Sequence, residues 1–289
     1  MSIALQIGPL AFQVTLPSHA IAREAAALYQ DYPKPDFAGF ADCRLAVRYT
    51  HSWRGWLGQQ ITVESDAPIP FTPLPAHLAV VAAEMGMNYH IAMGLNRLLL
   101  LHASGVARDG AAILFSADSG SGKSTLAAAL ALDGWRLLSD EFGLVEPGGD
   151  TVWPCPRPVS LKNRSIDLLQ TLAPADRFTR RYPGTPKGTL CYMRPPVDAI
   201  TGMRQPARAR AIVFPQYDPG AEPTLERLTA SECFVRLSAS STNATVLGEA
   251  AFESLWALSH KPVFAIAYPD LASARMLVDR VWRESADAG

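Results

Sequence analysis

The chain has 289 residues, of which 48% are hydrophobic and 18% are charged, so it is long enough and apolar enough to bury a large core. Its net charge of −1 provides no basic surface for a polyanion, and we therefore expect no nucleic-acid partner. The four cysteines (Cys43, Cys155, Cys191 and Cys233) have no paired spacing, which argues against a disulfide framework and a zinc site.

Two apolar stretches were candidates for membrane insertion, and neither has the required pattern. Residues 1–14 lack the basic leader and the long apolar segment of a secretory signal. Residues 78–101 are interrupted by charged and polar side chains, whereas a membrane span needs about 20 mostly apolar residues. We expect a cytoplasmic protein that has no membrane partner.

Residues 1–75 predict a small N-terminal α/β region. Alternating apolar residues indicate strands, and an alanine-rich segment indicates a helix. The predicted strands are 3–7, 12–16, 44–49 and 60–64, and the predicted helix is 19–29. Prolines at positions 68, 70, 73 and 75 then indicate a linker. The second domain is therefore predicted to cover residues 76–289.

A long helix is predicted over residues 75–100, with a break near Gly94. It leads into a strand at 101–107 that contains His102, and the Asp109-Gly110 pair then favours a hairpin turn. The apolar run 111–115 follows, so these two strands are predicted to pair antiparallel. His102 is therefore expected within one sheet spacing of the loop that follows residue 115.

The next segment has the pattern of a phosphate-binding loop, in which a buried strand, a glycine-rich turn with Gly-Lys-Ser and a helix follow one another. The turn consists of Asp118, Ser119, Gly120, Ser121, Gly122, Lys123, Ser124 and Thr125. Its glycines allow successive N–H groups to turn inward, and the helix directs the positive end of its dipole to the same place. Lys123 is expected to contact the outer phosphates and Ser124 a magnesium ion. Ala117 stands where the usual pattern has its first glycine.

The rest of the chain predicts further strands of the same sheet and the helices beside it. The predicted strands are 136–139, 142–145, 209–215 and 262–267, and the predicted helices are 165–172, 231–237, 245–258 and 271–282. The basic segment 176–196 is rich in proline and glycine, which is typical of a mobile loop.

Asp140 and Glu141 follow the first strand after the loop helix. A carboxylate at this position can hold magnesium, and in a kinase it can also accept the proton of the attacking hydroxyl. Such a pair more often lies exposed to water at the end of a strand and has no chemical role. Its position after the loop favours a catalytic or metal-binding role here. His102 could hydrogen-bond Asp140, contact the acceptor, or be an ordinary core histidine.

Two lysines are candidates to offset the charge that develops on a transferred γ-phosphate. Lys187 lies between Pro186 and Gly188, which shape a loop, and Lys162 follows Val159-Ser160-Leu161. A solvated basic loop is the alternative interpretation for both residues.

Three pieces of the sequence, in this order, resemble the HPr kinase/phosphorylase family. They are Leu101-His102 with Gly105-Val106, the loop 118–124, and residues 138–141. They are similar to that family's His-Gly-Val strand, its Gly-Asp-Ser-Gly-x-Gly-Lys-Ser loop and its Asp-Asp pair. The chain looks most like the HPr kinase-related proteins, a branch separate from the enzyme that modifies HPr. Ala117 and Glu141 depart from the family pattern, and the family's later signature is not found.

The resemblance implies an α/β fold with a P-loop kinase core of the HPr kinase and phosphoenolpyruvate carboxykinase type, a mixed sheet with flanking helices. It implies ATP and Mg²⁺ as cofactors and a serine on a peptide or small protein as acceptor. Asp140 would be the proton-accepting carboxylate paired with His102, and Ser124 and Glu141 would serve the metal, together with Asp140. Lys123 and Lys187 complete the expected catalytic set. Homo-oligomerisation stays open.

Two other functions also stay open at this point. The chain could be a kinase for a sugar or another small alcohol, which a compact lid over the loop would favour. It could instead be a nucleotide-binding regulator with little transfer activity, which a long distance from Lys123 to His102 and Asp140 would favour. An open basic or apolar groove beside Asp140 would favour a peptide acceptor.

Overall fold

The structure is a computed structural model that describes residues 1–35, 41–50, 58–66, 69–118 and 120–286, and in these ranges it is a mixed α/β protein with three sheets. The strands are β1 (Ser2–Ile7), β2 (Leu10–Thr15), β3 (Cys43–Tyr49), β4 (Gln60–Ser65), β5 (Leu74–Pro75), β6 (Leu99–Leu101), β7 (Ala103–Arg108), β8 (Ala111–Ser116), β9 (Arg136–Ser139), β10 (Gly143–Val145), β11 (Thr151–Trp153), β12 (Val159–Lys162), β13 (Tyr182–Thr185), β14 (Gly188–Met193), β15 (Ala207–Tyr217), β16 (Thr224–Arg227) and β17 (Val263–Tyr268). The helices are α1 (His19–Leu28), α2 (Ala79–Gly94), α3 (Lys123–Leu132), α4 (Arg164–Gln170), α5 (Val197–Thr201), α6 (Ala230–Ser240), α7 (Ala244–Leu247), α8 (Glu249–Ser259) and α9 (Leu271–Glu284). None of these helices has the length and apolar character that a membrane crossing requires.

The N-terminal sheet contains β1 to β5 in chain order. Buried and exposed residues alternate along β3, as expected for a sheet with one buried face. Cys43, Leu45 and Val47 are buried, while Arg44 and Arg48 are exposed. Helix α2 packs on β3 and β4. The strands and the helix that the sequence predicts for residues 1–75 are therefore confirmed.

The largest sheet holds β8 at its centre, in the order β6-β10-β11-β15-β8-β7-β9, and β17 extends it by pairing with β15 and β16. β8, β15 and β17 run parallel, and β7 runs antiparallel to both β8 and β9. The ends of β9, β8, β15 and β17 and the start of β7 therefore meet at one edge. Asp109 and Gly110, at φ 51° and 75°, make the β7–β8 turn, which confirms the predicted hairpin.

Different helices bury the two faces of this sheet. Ile113 and Phe115 of β8 pack in one core cluster with apolar residues of α3 and α9. Ala112 and Leu114, the alternate residues, pack in another cluster with residues of α6 and α8. β8 is thus buried on both faces, which explains why its sequence is continuously apolar.

The third sheet has the order β12-β14-β13, and two of its strands, β13 and β14, lie in the segment 176–196 where the sequence predicts a mobile loop. That prediction is wrong, because Cys191 and Met193 of β14 are fully buried and β14 pairs along the whole of β12. The glycines of the segment serve the hairpin instead, since Gly184 and Gly188 have positive φ angles of 75° and 88°.

Two helix predictions need correction. Helix α2 ends at Gly94, which confirms the predicted break there, but the helix predicted to continue to residue 100 is wrong, because Leu99–Leu101 form a buried strand paired with β10. A short apolar run fits a buried strand as well as a buried helix. The helix predicted over 245–258 is interrupted at Gly248, with φ 59°, which separates α7 from α8.

One core cluster extends from the N-terminal sheet into the elements that follow it. It joins buried residues of β1 to β4 and α2 to Phe142, Leu144, Tyr182 and Tyr192. The N-terminal sheet therefore packs directly on the elements beside residue 140. The domain boundary expected at residue 75 stays a prediction.

Candidate active site

The loop between β8 and α3 turns where its glycines allow. Gly120 and Gly122 have φ angles of 96° and 93°, which L side chains rarely adopt. A Cβ atom on Gly122 would lie 2.7 Å from the Tyr268 hydroxyl oxygen, so close packing requires a glycine there too. Ala117 has no positive φ, and alanine is therefore unstrained at a position where the motif has glycine. Ser119, a predicted loop residue, lies outside the described residues.

Helix α3 begins at this loop without a side-chain cap. Gly122 is its N-cap residue and makes no capping hydrogen bond through a side chain, so the first amides of the helix are available to an anion. Ser124 and Thr125 are half-buried in the first turn. The Ser121 hydroxyl is buried and has no hydrogen-bond partner among the described residues. The start of α3 thus has unused polar groups on the side of the loop.

Lys123 is largely buried, and its ammonium folds back over the loop. Nζ donates hydrogen bonds to the carbonyl oxygens of Ala117 and Asp118, the second at 3.0 Å. Burial lowers the pKa of Lys123, and the negative charges of Glu141, Asp118 and Asp140 act in the opposite direction. The ammonium therefore lies in the electrostatic range of the predicted acidic pair.

Asp140 is buried, with 5% of its surface exposed, where the chain leaves β9. Its Oδ2 atom accepts a hydrogen bond from the Ser160 amide at 2.9 Å, and its carbonyl oxygen accepts one from the Ser104 hydroxyl at 2.5 Å. Its Oδ1 atom is buried and has no partner among the described residues. The structure therefore fixes the orientation of Asp140 and leaves one carboxylate oxygen unused.

The surroundings of Asp140 favour its protonated form more than water does for an exposed aspartate. Burial, with a smaller contribution from the charge of Glu141, raises the pKa of Asp140 to about 6, while the nearby Ser124 hydroxyl and the hydrogen bond from the Ser160 amide act in the opposite direction. A carboxylate with this pKa is mostly ionised at neutral pH and is a stronger base than an exposed aspartate.

His102 lies between β6 and β7 rather than inside the strand predicted over 101–107, and its ring faces Glu141. The distance from His102 Nδ1 to Glu141 Oε1 is 3.9 Å. This pairing differs from the predicted one with Asp140, to which His102 makes no hydrogen bond in the described part of the chain. Burial and the positive charge of Lys123 lower the pKa of His102, against the charge of Glu141, which favours the neutral imidazole.

The two predicted lysines lie around the same acidic pair. Lys162 ends β12, and Lys187 lies in the turn of the β13–β14 hairpin. Both line the cleft that contains Asp140 and Glu141, and both charges lower the pKa of His102. Neither ammonium has an ion-pair partner among the residues that the structure describes.

The remaining walls of this cleft come from elements that the sequence did not connect to the site. Phe142, Leu190 and Tyr192 supply apolar surface, while Glu84 and Arg157 supply charged groups at its base. Glu84 lies on α2, far from the loop in sequence. No local pattern could have placed it here, because the contact depends on how the N-terminal sheet packs.

The donors around Asp140 suit a hard cation such as magnesium. Across the described ranges, no three His, Cys, Asp or Glu side chains form a metal-binding group. A magnesium ion that binds with a nucleotide needs only one or two carboxylates, because phosphates and water provide its other ligands. The Ser124 hydroxyl, which lies near the Asp140 side chain, and the carboxylate of Glu141, the next residue in sequence, fit this requirement.

No protein-family model matches this chain, and no curated protein matches it. The function is therefore inferred from the geometry above.

Proposed function

We propose that this protein is an ATP-dependent kinase with a P-loop core of the HPr kinase-related type, acting in the cytoplasm on a serine of a peptide or small protein. The observation that carries the proposal is the buried Asp140 Oδ1, which has no hydrogen-bond partner among the described residues and lies within electrostatic range of the Lys123 ammonium. An ionisable oxygen that is buried without a partner lowers the stability of the fold. Its presence beside a glycine-rich loop therefore supports a role in binding or catalysis.

Each residue of the site has a role in this proposal. The first amides of α3 and the Lys123 ammonium hold the β- and γ-phosphates. Ser124 and Glu141 would hold Mg²⁺, which would offset phosphate charge when bound, and the free oxygen of Asp140 is left for the chemical step. His102 positions Glu141 through the contact between their side chains. Lys187, at the tip of its hairpin, offsets the charge that develops on the γ-phosphate during transfer.

The chemical step uses the free oxygen of Asp140. It accepts the proton of the serine hydroxyl while the hydroxyl oxygen forms a bond to the γ-phosphorus atom. The bond from that phosphorus to the β–γ bridging oxygen breaks, and ADP leaves with the electron pair. The raised pKa of Asp140 suits this role, because a base works best when its pKa lies near the working pH.

The apolar and basic side chains that line the cleft favour a peptide acceptor over a sugar. Beside Asp140 it has apolar walls from Phe142 and Leu190 and basic side chains from Lys162 and Lys187. An extended peptide can place a serine at Asp140 while neighbouring residues contact these walls. A kinase for a small alcohol would use polar groups around the acceptor hydroxyl instead.

The proposal is tested with γ-labelled ATP, magnesium and a pool of serine-containing synthetic peptides, read out by mass. Wild-type protein should label a peptide. Lys123→Ala should lose both ATP binding and transfer, and Asp140→Asn should retain ATP binding but lose at least about 100-fold in transfer rate. Asp133→Asn, which changes an exposed carboxylate at the other end of α3, is the matched control.

Three results would contradict the proposal. Normal transfer by Asp140→Asn would remove Asp140 as the base. Label on small alcohols rather than on peptides would favour the small-molecule kinase. ATP binding by the wild-type protein without transfer to any acceptor would favour the regulator.

A further inference from the structure

The loop between β8 and α3 has a carboxylate and a histidine on one side and two tyrosines on the other. Along the sheet edge that carries it, the strands follow in the order β9, β7, β8, β15 and β17. Asp140, after β9, and His102, before β7, lie on one side of the β8 loop. On the other side, β15 and β17 end in Tyr217 and Tyr268, which are direct partners in the parallel ladder.

Tyr217 is held against the loop but keeps an exposed ring. Its amide donates a hydrogen bond to the Ser121 carbonyl oxygen at 3.0 Å, and its Cβ lies 3.2 Å from the position that a Cβ on Gly122 would occupy. Even so, 44% of Tyr217 is exposed. An aromatic ring fixed through its backbone and open on one side is a platform for stacking.

Tyr268 supplies a second, independent feature at the same place. It is 2% exposed, and its hydroxyl, directed at Gly122, has no hydrogen-bond partner among the described residues. The rings of Tyr217 and Tyr268 lie 6.1 Å apart at an angle of 49°. A buried donor without a partner is unfavourable unless a ligand uses it.

These positions fix the direction in which a nucleotide can lie. Phosphoryl transfer requires the γ-phosphate on the side of Asp140. The triphosphate must then follow the loop toward β15, because ligands of such sheets bind outside the carboxyl ends of the strands. The nucleoside end would reach Tyr217 and Tyr268, one and two strand spacings beyond the loop.

We infer that Tyr217 is the stacking surface for the nucleobase of the bound nucleoside triphosphate, and that the Tyr268 hydroxyl donates to the sugar–phosphate portion beside Gly122. This inference rests on the proposed function, because it assumes that the loop binds the triphosphate. It assigns a base-binding site to residues outside the loop motif. Stacking on a tyrosine accepts any nucleobase, so the site would select nucleotides over bare polyphosphate more strongly than one base over another.

The test compares the binding of ATP and of inorganic tripolyphosphate by calorimetry in the presence of magnesium. Wild-type protein should bind ATP at least about tenfold more tightly than tripolyphosphate, since base stacking contributes that much or more. Tyr217→Ala should weaken ATP binding about tenfold and leave tripolyphosphate binding unchanged. Tyr217→Phe should retain the wild-type affinity for ATP, because it keeps the ring. Trp256→Ala, which removes another exposed ring, is the control.

The outcomes separate this inference from the proposed function. Equal ATP affinity in wild type and Tyr217→Ala, or equal wild-type affinity for ATP and tripolyphosphate, would overturn the base site and leave the phosphate loop intact. An equal loss of both ligands in Tyr217→Ala would also overturn it, because the residue would then support the loop. If the wild-type protein binds neither ligand, both proposals fail.

Discussion

At the scale of single residues, the buried position of Asp140 disfavours the ionised form of its carboxyl group. Burial and the nearby charge of Glu141 raise its pKa from 3.8 to about 6. Between these two pH values the folded protein binds a proton that the unfolded chain releases. The contribution of this proton to the free energy of unfolding is therefore fully present below about pH 4, and it is lost as the pH rises through 6.

We therefore expect Asp140→Asn to be more stable than the wild-type protein at pH 7.5, by about 3 kcal/mol. The difference should disappear below about pH 4, where the wild-type carboxyl is protonated. Urea denaturation at both pH values, without magnesium or nucleotide, measures it. Glu141→Gln should move the window to lower pH, because it removes a charge that raises the pKa. Equal stability of Asp140→Asn and wild type at pH 7.5 would show that the carboxylate is not destabilising.

At the scale of elements, the sequence predicts the parts of the site that lie close together in the chain. The β7–β8 hairpin, the loop and β9 are consecutive, so a turn motif and two apolar runs were enough to bring His102, Lys123 and Asp140 together. The β13–β14 hairpin was missed because its proline and glycine content resembles that of a loop. Besides the pairing within the hairpin, β14 pairs with β12, and this second pairing is set by tertiary structure.

This hairpin gives Lys187 a defined position, which a mobile loop would not. Thr185 pairs with Gly188, so Pro186 and Lys187 alone form the turn, and the Thr185 hydroxyl donates to the Gly188 carbonyl oxygen at 2.6 Å. A cation fixed by its backbone loses less entropy when it binds the γ-phosphate.

Lys187→Ala should therefore lower the rate of phosphate transfer about 100-fold while ATP affinity changes much less, because the charge that it offsets develops mainly during transfer. Rates at saturating ATP and calorimetric ATP affinities distinguish the two effects. Arg181→Ala, which removes a nearby cation paired with Asp167 at 2.5 Å, should change neither. A Lys187→Ala enzyme with the wild-type rate would exclude Lys187 from the transfer step.

At the scale of the whole molecule, the N-terminal sheet and the candidate active site share a charged contact as well as a core. Glu84 of α2 and Arg157, which follows β11, form an ion pair at 2.5 Å with side chains only 3% and 9% exposed. Arg157 also donates to the Glu84 carbonyl oxygen at 3.0 Å, and the Tyr29 hydroxyl donates to the Glu84 carboxylate. The sequence could not predict this contact, since Glu84 and Arg157 are brought together only by the packing of α2 below the cleft.

We expect Arg157→Met to lower the free energy of unfolding by about 3–5 kcal/mol, because it leaves the buried Glu84 charge without the cation that neutralises it. The double variant Glu84→Gln/Arg157→Met removes that charge and should recover part of the loss. Arg48→Met breaks an ion pair with Glu64 whose side chains are both 59% exposed, and it should cost less than about 1 kcal/mol. Urea titrations followed by circular dichroism measure all three variants. If Arg157→Met cost no more than Arg48→Met, the buried pair would not hold α2 against the base of the cleft.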